Sequence, residues 1–266
     1  MDLWQRRQRE GEDALAKMIQ RYFRRQWDDI IQELNAIGFV PENPLVLFNP
    51  SDWHQEWLEM VEPAIGVFLF QAAIDEVSFL ERKSSVIRSK SWKDVLEKLR
   101  MKLPQRIRNA VDNTLKTIMS QEYWTGINDV TYDSLGEQIA EGLKEGDSLS
   151  DMVKRLRSHS KDISKDRAIL IARTESTGAL NAGHDVVRRE LAAGGINILK
   201  EWWSIVDMRR RPTHAALHGV KVEADANFNV GGFEAPYPGH YSLPARERVS
   251  CRCVTTSVTE FTDQES

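Results

Sequence analysis

The chain has very little cysteine: two residues in 266, Cys251 and Cys253, separated by a single arginine. Two neighbouring thiols exclude the disulfide framework that staples small secreted domains, and a bridge between them would close a small, strained ring. Long apolar runs are also missing. The most apolar stretch, "AIGVFLF" at 64–70, is far shorter than the roughly 20 residues a membrane-spanning helix needs. The N-terminus "MDLWQRRQREGEDALAKMIQRYFRRQW" starts charged, without the apolar segment of a secretory signal. No repeat at a solenoid period, low-complexity tract, phosphate loop, serine elbow or pair of carboxylates at a recognisable spacing is present. The expectation is a soluble, intracellular protein with no membrane partner.

What is there suffices for a core. Apolar residues make up 41% of the chain, charged residues 29%, and eight tryptophans are present, which suits one large domain or two smaller ones. The net charge of −4 hides a segregation. Residues 28–81 carry eleven acidic groups and no Lys or Arg, whereas 82–108 carry ten basic and two acidic groups. Arg82, Lys83, Arg88, Lys90, Lys93, Arg100, Lys102, Arg106 and Arg108 form a candidate footprint for DNA or for an acidic protein face. The alternative is pairing with the acidic block just upstream, inside one helical domain.

The first three quarters read as helices. Ile19, Phe23, Trp27, Ile30 and Leu34 mark one face of a long helix. "VPENPLVLFNP" at 40–50 is a loop. Ser51 starts a short helix that Pro63 stops, and a further helix covers 64–82. Ser91 caps "WKDVLEKLRM". After Pro104 comes a helix with Ile107, Val111, Leu115 and Ile118 on one face. Ser134 and Glu137 have the spacing of a capping box and predict a helix start, and Ser148 with Asp151 does something similar. From Ser164 a helix of some seven turns, with the small-residue stripe Ala168, Ala172, Ala179 and Gly183, ends at Gly194 or Gly195 in a left-handed cap. The pattern then turns β-branched and aromatic: a strand in 196–207, a short helix over 212–218, a loop rich in Gly, Pro and Asn, and the closing strand "SCRCVTTSVTEF".

The expected fold class is therefore α+β: a mainly α-helical N-terminal domain, then a small α+β C-terminal module with a few strands. The expected divisions are a helical domain over 1–148, helices leading into the module over 149–195, the module over 196–260 and an acidic tail over 261–266.

Three of the six histidines and both cysteines lie in the last 60 residues. In a strand Cys251 and Cys253 face one side, with Arg252 opposite. In a short helix His214 and His218 share a face. Two Cys and two His are the ligand set of a structural zinc site. Packing of two buried thiols, or a redox or nucleophilic role with His214 as base, are the alternatives. In "DMRRRPTHAALHG" Pro212 suits the first turn of a helix, and Asp207 can receive Arg209 or Arg211 in a bidentate pair. The same arginines can instead touch phosphate.

Taken together, "ARTESTGALNAG" (172–183), "EWWSIVDMRRRPTHAALHG" (201–219), "PGH" (238–240) and "RERVSCRC" (246–253) resemble the Mu-F-like minor head proteins of tailed phages, the phage head morphogenesis family. The matching positions are Ala172–Glu175, Trp203, Asp207, Arg209, Arg211, His214, Gly219, Phe228, Pro238, Gly239 and Cys251–Cys253. The family usually has Asp where this chain has His240, and Asp or Asn in place of His218. His214, Cys251 and Cys253 fit the motif, with His218, His240, Asp207 or water as the fourth ligand. The resemblance implies a minor structural protein of the phage head, present inside the virion after assembly in the host cytoplasm. It acts with the portal in procapsid assembly, genome packaging or DNA ejection. Its implied partners are the portal protein, the major capsid or scaffolding protein and double-stranded DNA; the ligand set itself offers structural zinc as the one candidate cofactor, with simple packing of the thiols as the alternative. Longer relatives carry a toxin or enzyme domain after the CRC strand, and with thirteen residues beyond Cys253 none is expected here. The reading is thus non-enzymatic. The alternative is a metal-dependent nuclease or hydrolase using His214, Cys251 and Cys253.

Overall fold

A computed structural model of the chain describes residues 3–80, Glu97 and 100–258. The elements are α1 (Leu3–Ile37), α2 (Pro50–Leu80), α3 (Gln105–Met119), α4 (Gly126–Glu145), α5 (Leu149–Ala193), β1 (Leu199–Trp203), α6 (Pro212–Ala216), β2 (Lys221–Glu223), β3 (Phe228–Val230), β4 (Phe233–Ala235), α7 (Ala245–Arg248) and β5 (Val254–Val258). A mainly helical N-terminal part followed by a small α+β region is the fold class the sequence predicts. Two compact units are present, Met1–Val61 with Met119–Ala172, and Glu62–Ile118 with Arg173–Ser266.

The first unit is helical. Ile19, Phe23, Trp27, Ile30 and Leu34 of α1 are all buried, as their spacing demands. They meet Leu47 and Phe48, Leu135 and Ile139 of α4, and Met152 and Leu156 of α5. Ser134 does not open a helix. α4 begins eight residues earlier, at Gly126, because Ile127 and Leu135 lie on one buried face of a continuous helix. The Ser134 hydroxyl instead lies 2.5 Å from His159 Nε2, and that ring stands edge-on to Trp27. Ser148 does cap: its Oγ accepts from the Asp151 N–H at 3.2 Å and donates to the Asp151 carboxylate at 2.6 Å.

Two predicted breaks are bridged. α2 continues through Pro63, although proline removes one backbone hydrogen bond from a helix interior. Apolar burial on the far side (Ala64, Ile65, Phe68, Leu69) outweighs that loss. The continuous helix is therefore long and apolar enough to cross a membrane, but 61% of its apolar window is buried inside the protein, as in a core helix. Likewise α5 does not start at Ser164. It runs 45 residues from Leu149, with no proline to interrupt it, and Ser164 is buried within it. Its end is as predicted: Gly195 is left-handed at φ +90°, and the Ile196 N–H reaches back to Leu191 O at 3.2 Å. The Ser91 cap lies outside the described residues.

The second unit carries the sheet. β1 is central, antiparallel to β2 on one side and β5 on the other. β3 and β4 form a separate hairpin whose two turn residues, Gly231 and Gly232, both have positive φ, as a tight right-twisted hairpin requires. Trp202, Phe228, Val230, Ala235, Leu243, Cys251 and Cys253 make the local core. Beside it the fully buried Arg188 of α5 joins Glu76 of α2 to β5, donating to Glu76, to Thr255 Oγ1 and O, and to Ser257. His184 Nδ1 lies 2.7 Å from Glu76 Oε2, and Lys200 of β1 pairs with Asp185 of α5 at 2.7 Å.

Candidate metal centre

Pro212 begins α6 at its first turn, and the turn drives His214 inward to 2% exposure. Arg211 fastens this turn to the end of α7 by donating to Val249 O at 2.6 Å. Cys251 and Cys253 precede β5 rather than lying in it. Ser250, in the left-handed region at φ +55°, turns the chain just before the two cysteines. His214 Nδ1 lies 3.2 Å from Cys253 Sγ and 3.6 Å from Cys251 Sγ. The Cys253 N–H also points at Cys251 Sγ, 3.5 Å away. The Cys251 thiol is held well below its usual range, chiefly by the hydrogen bond from Cys253 and further by His214, against the effect of burial. The same contact and burial push Cys253 up.

The segment carrying the cysteines is pinned along α5. Thr174 Oγ1 accepts from the Ser250 N–H at 3.0 Å. Glu175 takes Arg248 and the Tyr241 hydroxyl, each at 2.6 Å. Gly178 and Gly239 approach backbone to backbone, so that a Cβ on Gly178 would come within 3.1 Å of Gly239 O. Asn181 bridges the cysteine segment to β5, donating to Cys253 O at 3.0 Å and accepting from the Thr255 N–H at 3.1 Å. The strings at 172–183, 238–240 and 246–253 are therefore one interlocked contact in space.

The three donor atoms all lie within 4.8 Å of one another, and all three residues are buried. Tetrahedral Zn–S and Zn–N bonds imply a donor separation of about 3.6 Å between nitrogen and sulfur. The observed 3.2 and 3.6 Å bracket that closely, so the group fits a tetrahedral, thiolate-preferring metal ion. Sequence reasoning missed Glu247. Its Oε2 lies 3.1 Å from His214 Nε2, within ion-pair range though off the line of a straight hydrogen bond, and accepts from Thr213 Oγ1 at 2.8 Å. A carboxylate on the far nitrogen favours the tautomer that leaves Nδ1 bare for a metal. The only sequence signal for this was its place on the short helix just before the CRC string.

The other predicted residues fall elsewhere. His218 does not share a face with His214, because α6 stops at Ala216. Its Nδ1 accepts from the Ser204 N–H at 3.2 Å, and its ring stands edge-on to Trp203. His240 Nδ1 engages Ser242, and burial lowers this imidazole to about 4. Among the described residues no fourth His, Cys, Asp or Glu joins the three. Asp207 is bidentate not with Arg209 or Arg211 but with Arg252, the residue between the cysteines, at 2.7 and 2.8 Å. That pair holds the Asp207 carboxyl down at about 2. Arg209 is left 3.8 Å away. Gly219 turns the chain at φ +82° into β2, its N–H donating to Trp202 O at 2.8 Å.

Of the basic block, Arg82, Lys83, Arg88, Lys90 and Lys93 lie outside the described residues. Arg100 pairs with Glu97 and Asp112, Arg106 with Glu190, and Arg108 donates to Leu103 O. Lys102 is exposed.

Residues 133–256, a little under half of the chain, match the family described as Phage Mu protein F like protein. Among individual proteins, the chain is 30% identical over 153 residues to Minor head protein GP7 of Bacillus phage SPP1, covering 55% of this chain and 47% of that one. It is 33% identical over 122 residues to "NAD(+)--arginine ADP-ribosyltransferase EFV" of Enterococcus faecalis, covering 46% of this chain and 25% of that one. The chain thus spans about half of the first relative and a quarter of the second. No solved structure matches it.

Proposed function

We propose that the protein is a minor structural component of a tailed-phage head, associated with the portal and acting in procapsid assembly, genome packaging or DNA ejection. The observation that carries this reading is the Mu-F-like match over 133–256, and the similarity to a minor head protein supports it. In this reading the protein resides in the virion, is assembled in the host cytoplasm and catalyses no reaction. Its partners are the portal, the major capsid or scaffolding protein and double-stranded DNA. The basic block over 82–108 is the surface that meets DNA or an acidic portal face. The test is co-expression with the portal protein followed by sedimentation, with mass spectrometry of purified particles. Co-sedimentation and presence in the particle are expected. A protein that neither travels with the portal nor enters particles does not have this role.

The same reading assigns one structural zinc ion to His214 Nδ1 and the sulfurs of Cys251 and Cys253, supported by their spacing and burial. Elemental analysis of purified protein should find about one zinc per chain, reduced sharply by Cys251→Ser. Substoichiometric zinc in the unaltered protein removes the assignment. A second reading, a metal-dependent nuclease or hydrolase, draws on the three-ligand arrangement, since a catalytic zinc keeps one position open. His214→Ala separates the two: loss of a measurable cleavage with the fold intact favours the enzyme, and loss of folding with no activity to lose favours the structural role.

A further inference from the structure

A small pocket reaches two of the three buried ligand residues, His214 and Cys253, and the charge around it is one-sided. A pocket of about 20 Å³, room for a single water-sized atom, opens beside His214 and Cys253 and is lined by Arg209, Arg210, Arg211 and Arg252. Arg252 is neutralised by Asp207. Arg211 is spent on two backbone carbonyls, Glu247 O and Val249 O. Among the described residues the Arg210 guanidinium has no hydrogen-bond or ion-pair partner; only its backbone N–H is engaged, by Asp207 O. The Glu247 carboxylate stands on the opposite, Nε2 side of the imidazole.

The charge count then decides the ligand. A divalent ion with two thiolates and a neutral imidazole is electrically neutral, so the four arginines and one aspartate of the rim set the sign at the open position, and it is positive. Guanidinium groups hold oxyanions through paired N–H donors, and phosphate geometry suits them best. The pocket admits one oxygen at the metal end while the rest of the anion stays among the arginines.

Resting on the metal assignment above, we infer that the fourth position of the ion takes an oxygen of a phosphate group, with Arg210 as its principal protein contact. The source is free phosphate or the phosphodiester of a nucleic acid. The full chain, loaded with cobalt(II) in place of zinc, reports this directly, because the visible bands of tetrahedral cobalt respond to its fourth ligand. Inorganic phosphate should shift those bands saturably, with chloride at matched ionic strength leaving them unchanged. Arg210→Ala should weaken the phosphate response about tenfold while leaving cobalt affinity and thermal unfolding as they were, and Arg210→Lys should recover part of it. A short duplex DNA that shifts the bands at lower phosphate concentration than the free ion assigns the diester as ligand, and a response to free phosphate alone assigns the small anion. Cobalt bound at one per chain with bands that neither phosphate source moves, or a phosphate response that Arg210→Ala leaves intact, overturns the inference while the metal site stands. No cobalt binding at all overturns the metal site itself.

Discussion

At the scale of single residues, the proposed metal centre calls on groups that would not bind the metal themselves. Glu247 contacts His214 on the nitrogen facing away from the sulfurs. Glu247→Gln keeps the shape but removes the charge, so metal should still bind at saturation with affinity lowered about 10- to 100-fold, measured by competition with a chelator. An unchanged affinity would show that this carboxylate does no positioning. Arg252 illustrates the difference between a neighbour in sequence and a partner in space. The string places it between two buried cysteines, and the fold turns it outward to lock Asp207, 45 residues earlier. Asp207→Asn should therefore raise protease sensitivity around 205–210 without lowering zinc content, since this exposed pair ties the middle of the loop to the cysteine segment.

At the scale of elements, α5 is the frame on which the cysteine segment is hung. Asn181 satisfies two buried backbone groups at once. Asn181→Ala leaves both unpaired, at a cost on the order of 2 kcal/mol or more, read as a lowered midpoint in urea and a weaker hold on metal. Packing along the same helix is tight enough to exclude a methyl group. A Cβ on Gly183 would fall 2.2 Å from Leu69 O and 2.8 Å from Ala72 Cβ, both on α2. Gly183→Ala should destabilise by about 1–3 kcal/mol despite the higher helix propensity of alanine. A stabilised variant would mean that α2 yields more readily than a packed core does. The small-residue stripe legible in the sequence is thus a packing device, whereas the length of α5 was not legible: Ser164 looked like a start because a capping residue and a buried mid-helix serine are the same letter.

At the scale of the whole molecule, stability in acid should follow Glu76. Burial alone would raise this carboxyl, but the hydrogen bond with His184 and the Arg188 guanidinium outweigh it and hold it at about 2. A carboxyl depressed in the folded state stabilises the fold above its unfolded value, near pH 4.5, and that contribution disappears as pH falls towards 2. The difference amounts to about 3 kcal/mol. Urea midpoints followed by circular dichroism from pH 6 to pH 2 should show the loss in that window. Glu76→Gln should flatten it while lowering stability at neutral pH, because Arg188 is left charged in the interior. A pH profile the same in both proteins would assign the acid sensitivity to other groups. The basic block belongs to this scale too. Retardation of duplex DNA should weaken steeply with salt if its free cations contact phosphate. Arg100, Arg106 and Arg108 are already paired or bonded within the fold, so substituting Lys102 should matter more to that retardation than substituting any of those three.

The sequence by itself determined the class of fold, the buried face of α1, the glycine that ends α5 and the order of the strings at 172–253, because periodicity, caps and turn chemistry are local and each residue states its part independently. It also determined that His214, Cys251 and Cys253 were the chemistry to look for. Only the tertiary structure decided which of their neighbours count. His218 dropped out because α6 ends two residues before it, Glu247 entered through its contacts with Thr213 and His214, and Arg252 proved to be the partner of Asp207. Whether Pro63 breaks a helix was likewise settled by the apolar surface on either side of it. These are long-range outcomes: each depends on the free energy of packing between segments tens of residues apart, a quantity that no window of the chain contains.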